Sequence, residues 1–136
     1  MKLNINKLKK LRVGIVYLFG SEVRGNTLPL SDVDIGIVFT DISVLKDSLK
    51  IYDELYRLFT EVYPLKREID IVFLQNSSLP LQFEAAFEGK VLYEVSPDFR
   101  ADYTEKVLKD YLDFKPLLEE LDKITLEAFG EENSPE

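Results

Sequence analysis

Residues 19–39 read Phe19-Gly20-Ser21-Glu22-Val23-Arg24-Gly25-Asn26-Thr27-Leu28-Pro29-Leu30-Ser31-Asp32-Val33-Asp34-Ile35-Gly36-Ile37-Val38-Phe39. An apolar run, Val13 to Phe19, stops at the small pair Gly20-Ser21, and a second begins after Asp32. In a strand, residues i and i+2 share a face, so Asp32 and Asp34 are expected on one side. Val33, Ile35, Ile37 and Phe39 then point to the other side, into a core. Two neighbouring carboxylates repel each other unless a cation lies beside them. Oxygen ligands of this kind suit Mg²⁺ or Mn²⁺, which bind through one or two carboxylates together with substrate phosphates. Gly20 lets backbone approach a ligand closely, and a helix starting near Ser21 aims free N–H groups at a phosphate. A phosphate cradle facing a carboxylate pair is the layout of a phosphoryl-chemistry site.

Gly20-Ser21, ten intervening residues and then Asp32-Val33-Asp34 resembles the signature of the DNA polymerase β-like nucleotidyltransferases. Gly20-Ser21-Glu22-Val23-Arg24-Gly25 with Ser31-Asp32-Val33-Asp34-Ile35 is similar, more narrowly, to the minimal nucleotidyltransferases of prokaryotes, many of them antitoxins paired with a HEPN-domain toxin. The likeness is strongest over residues 13–74. It implies an α/β (α+β) fold, a small mixed sheet with helices packed on it and a C-terminal helical segment. It also implies a third catalytic carboxylate on the strand after the long helix, where Asp70 stands. Asp32, Asp34 and Asp70 are then the catalytic and metal-binding acids for two Mg²⁺ ions, with Mn²⁺ an alternative. Gly20, Ser21 and Arg24 are the nucleotide-binding residues, and ATP is the substrate. The implied acceptor is a tyrosine hydroxyl of a HEPN partner, which receives AMP. Glu22 departs from the family pattern, where arginine is common, and an acid there repels a triphosphate. Two other readings compete: an antitoxin that neutralises its toxin by covering it, and a small-molecule modifier of the aminoglycoside type. The latter normally carries an additional substrate domain, for which the chain has little room.

Composition narrows the chemistry independently. The 136 residues suffice for one domain with a proper core, and 46% apolar against 31% charged content is that of a globular chain. No run approaches the roughly 18 apolar residues of a membrane span, and the polar N-terminus is no secretory signal, so a cytoplasmic location is expected. Without cysteine or histidine, disulfides, thiolate zinc sites and histidine catalysis are excluded. A net charge of −8 disfavours a nucleic-acid polymer as substrate. A small nucleotide or a protein acceptor suits it better.

The remaining elements follow from periodicity. A short basic helix is expected over residues 5–12, its Lys7, Lys9, Lys10 and Arg12 forming a solvated face. Strands are expected at 13–19, 33–39, 68–74 and 91–94. A helix capped by Asp41 or Ser43 is expected to run to about Val62, burying Leu45, Leu49, Tyr52, Leu55, Phe59 and Val62. A second helix over 79–88 should turn Phe83, Ala86 and Phe87 inward and end at Gly89. Residues 1–95 make the nucleotidyltransferase core. Residues 96–129 make a helical segment of the same domain, with a kink or two consecutive helices at Pro116. Residues 130–136 form a disordered tail. Leu108, Leu112 and Leu117 widen the apolar surface of the C-terminal helices, offering contact to a partner or a second copy.

Overall fold

The computed structural model describes residues 3–20, 32–63 and 68–132, with side chains described as far as residue 127. Four strands form one mixed sheet: β1 (Val13–Phe19), β2 (Val33–Phe39), β3 (Ile69–Phe73) and β4 (Lys90–Glu94), in the order β3-β2-β1-β4. β1 runs antiparallel to both β2 and β4, whereas β2 and β3 are parallel. The helices are α1 (Ile5–Lys10), α2 (Ser48–Thr60), α3 (Leu79–Glu88) and α4 (Pro97–Glu132). Val13–Phe19 is buried at every position, as an unbroken apolar run in a central strand covered on both faces should be.

The two faces of the sheet carry separate cores. Val33, Ile35, Ile37 and Phe39 of β2 pack with Ile69 and Ile71 of β3 and with Leu8, Leu55, Leu58 and Phe59 from α1 and α2. The opposite face gathers Ile15, Tyr17 and Phe19 of β1 and Val38 of β2 with Leu74, Ala85, Tyr103 and Val107, mainly under α3 and α4. The period-2 alternation thus sorts β2 and β3 between two cores, while irregularities in the β1 pairing shift its phase at Val13/Ile15 and opposite β4. The α1 lysines sit with Leu8 on the α1–α2 side, away from the face that carries Asp34. Arg12 is fixed locally by a 2.6 Å ion pair to Asp41. Asp41 also accepts a hydrogen bond from the Ser43 N–H at 2.9 Å. The Ser43 hydrogen bonds, followed by the Arg12 charge, hold the Asp41 carboxyl below its ordinary range.

Three expectations need correction. The helix after β2 opens as a 3₁₀ turn, Ile42–Asp47, and becomes α-helical only at Ser48. Three residues per turn instead of 3.6 shifts the helical phase. Leu55 and Phe59 are buried as expected, joined by Leu58, but Leu49 is 87% exposed and Tyr52 is also exposed. In α3 Phe83 and Ala86 pack against the core as expected, but the fully buried position is Ala85, and Phe87 is exposed and stacks on Phe83 at 4.5 Å. Of the two outcomes expected at Pro116, a kink or two consecutive helices, the second does not occur: α4 is one helix through that residue to Glu132, so residues 130–132 are helical.

Candidate active site

Asp34 and Asp70 stand directly opposite each other in the parallel β2–β3 ladder. Both lie on the α3 face, because Val33, Ile35, Ile69 and Ile71 are drawn into the other core. Burying those four apolar side chains therefore fixes the register that aligns the two acids; a one-residue slip would turn them apart. Asp34 also pairs across β1 with Phe19, the residue before Gly20. Gly20 has φ +77°, and a Cβ there would sit 2.1 Å from Oδ2 of Asp34. Only glycine meets both conditions without strain. The strand end, the turn and the carboxylate are one closely fitted unit.

A cleft of about 210 Å³ opens at this point, lined by Phe19, Gly20, Asp34, Asp70, Val72, Leu81 and Glu84. Asp34 is half-buried and Asp70, on the edge strand, is exposed. Asp32 precedes β2, is exposed, and is not among the residues lining the cleft. Among the described residues no three acidic side chains stand close enough to hold a metal ion together. The structure thus brings Asp34 and Asp70 together, with Asp32 exposed just before β2. Ser21, Glu22 and Arg24 lie outside the described residues. Glu84, the further acid in the cleft wall, has no clear signal in the sequence. It sits between Phe83 and Ala85 in a helix where an acid ordinarily marks the solvent side.

The oxygen-only donors of this cleft fit a hard divalent cation. Two carboxylates on adjacent strands match the one or two that Mg²⁺ takes when phosphates and waters complete its shell. A larger cavity, about 530 Å³, lies between the 3₁₀ turn, α3 and α4, and Ile42, Leu45, Leu79, Tyr103 and Val107 are among its lining residues. It lacks the paired carboxylates and the strand-end glycine.

A family model described as polymerase beta, nucleotidyltransferase, matches residues 4–98. No curated protein sequence matches the chain. Among solved structures, a chain from a crystal structure of a toxin–antitoxin with AMP-PNP is similar at a TM-score of 0.68 and 22% identity, over 91% of this chain and 99% of that one. A chain from the toxin–antitoxin MntA–HepT gives a TM-score of 0.56 at 20% identity, over 89% and 95%. A chain from the tri-AMPylated Shewanella oneidensis HEPN toxin in complex with MNT antitoxin gives 0.56 at 19% identity, over 89% and 94%. At these identities the likeness is one of fold, and it extends beyond the family match into the C-terminal helix.

Proposed function

The chain belongs to the polymerase beta nucleotidyltransferase family, and from that membership we propose that it transfers AMP from ATP to a tyrosine hydroxyl of a HEPN-domain partner, as the antitoxin of a pair. The observation that carries this reading is the register pair Asp34–Asp70 beside the Gly20 turn. The nucleotide and the partner are supported by the neighbours, one a toxin–antitoxin with AMP-PNP and one a complex with a tri-AMPylated HEPN toxin.

In the reaction the acceptor oxygen bonds to the α-phosphorus as that atom's bond to the bridging oxygen of pyrophosphate breaks. Pyrophosphate leaves with the electron pair, and the hydroxyl proton passes to Asp70 or to water. Catalysis of this kind is mainly positioning and charge neutralisation. Asp34 and Asp70 would hold the cation, Mg²⁺ or Mn²⁺ and up to two ions, with Asp32 joining from the residue before β2. When bound, it neutralises charge on the phosphates and stabilises the attacking and leaving oxygens. By the family resemblance, the Gly20 backbone and the Ser21 hydroxyl would hold the β- and γ-phosphates, with Arg24 as the further nucleotide-binding residue. We assign partner docking to the apolar surface of α4, far along the chain from these acids.

The test is to incubate the chain with ATP, Mg²⁺ and a HEPN-domain protein from the same genome, and to weigh that protein by mass spectrometry. Mass should rise in steps of one AMP, and chelation of the metal should stop it. Asp34→Asn should lose at least a hundredfold in transfer rate while the complex still forms. If Asp34→Asn neutralises the toxin as well as the wild type does, covering suffices and the catalytic role is wrong.

A further inference from the structure

The larger cavity, about 530 Å³, shares no lining residue with the acidic cleft. Gln75 lines it and clasps the end of β2: its Oε1 accepts from the Phe39 N–H at 2.7 Å, and its Nε2 donates to the Phe39 carbonyl at 2.8 Å. Phe39 stands five residues beyond Asp34, so this end of the strand is roughly 17 Å from the paired acids. Gln82 is engaged at both ends in the same way. Its Nε2 donates to the Ser77 carbonyl at 3.0 Å, and its Oε1 accepts from the Tyr103 hydroxyl at 2.9 Å. These bonds join β2, the turn after β3, α3 and α4, so the hollow is built into the fold. Leu45, Leu79 and Val107 give it apolar walls. Two lining side chains remain unused, since neither Lys46 nor Asn76 has a hydrogen bond or ion pair with another described residue. Lys106 faces the cavity from α4 and is paired with Asp110 at 3.1 Å.

Those walls and those two donors define a ligand. An apolar body gains by leaving water for Leu45, Leu79 and Val107. The Lys46 ammonium can only donate, and with the Asn76 amide it suits an anionic head group through charge-assisted hydrogen bonds. A cation would be repelled there. Asp110 also lines the cavity and opposes a second negative charge, which favours a monoanionic carboxylate over a phosphate dianion. The volume falls within the range of about 300–1,000 Å³ that holds small molecules. We propose that this cavity binds a small amphipathic carboxylate, its apolar body against Leu45, Leu79 and Val107 and its carboxylate at Lys46 and Asn76. The proposal is independent of the transferase reading.

Nitrogen-15 NMR of the intact chain can follow titration with octanoate, octylammonium and acetate at constant ionic strength. Octanoate should give saturable shifts at the amides of Asn76, Gln82 and Val107. Octylammonium, with the same body and the opposite charge, and acetate, with the same head and almost no body, should each bind at least tenfold more weakly. Lys46→Glu lies on the exposed surface, so it should keep the melting temperature while weakening octanoate by about tenfold or more, the loss of one charge-assisted hydrogen bond. Lys46→Arg should retain binding. Equal affinity for octanoate and octylammonium, unchanged octanoate binding in Lys46→Glu, or no saturable shift at these amides would each overturn the assignment.

Discussion

Gly20 carries two constraints at once, a left-handed backbone and the contact with Asp34. Gly20→Ala is expected to cost about 1–2 kcal/mol from backbone conformation alone. Its methyl group would also displace the Asp34 carboxylate, which lies 2.1 Å from the Cβ position. Denaturant unfolding should record the first effect and calorimetric titration with Mn²⁺ a loss of affinity. Unchanged affinity would show that Asp34 can move aside without consequence. At this scale the sequence was informative where a residue type is chemically conspicuous. Asp34 and Asp70 stand out because each interrupts an apolar strand, and glycine at a strand end marks a close approach. Glu84 was hidden because α3 contains acids on both its packed and its solvated side, and sequence spacing alone does not say which side meets a cleft.

Among the elements, the strands were legible nearly to the residue, since period 2 and burial on both faces mark their limits. The second helix was not. Its phase depends on where the 3₁₀ turn at Ile42–Asp47, capped at its start by Asp41, gives way to α-helix at Ser48. The two phases differ measurably. Leu55→Ala should destabilise by about 2–5 kcal/mol, because that side chain is fully buried. Leu49→Ala should stay within about 0.5 kcal/mol, being 87% exposed. Equal losses in thermal unfolding would restore the uninterrupted helical stripe. Two separate helices at Pro116 were expected for a related reason. A proline interior to a helix is costly but tolerated, and here the backbone stays helical across it.

For the molecule as a whole, α4 changes character along its length. Its first turns pack on the sheet through Phe99, Tyr103 and Val107, and Tyr111 stacks on Phe83 at 4.1 Å. Among the described side chains none beyond Val107 is buried, and residues 121–127 are exposed on every side. Thirty-six residues at about 1.5 Å each make a helix of about 54 Å. No described helix is long and apolar enough to cross a membrane. The paired changes Leu117→Glu and Leu121→Glu should therefore leave the melting temperature of the isolated chain within a few degrees and weaken capture of a HEPN partner at least tenfold, read by biosensor. A large fall in melting temperature would mean that this half of α4 is part of the fold. Sequence periodicity finds such a helix easily; it cannot say where along the seam the underlying sheet runs out.

The β2–β3 register has a bearing on ancestry. Val33, Ile35, Ile69 and Ile71 hold Asp34 against Asp70, so any descendant that keeps this core also keeps the two positions side by side. Such a lineage loses the acid pair by substitution, since sliding one strand past the other would sacrifice the fold first. Whether a related chain keeps the pair should then be readable from two letters, without solving its structure.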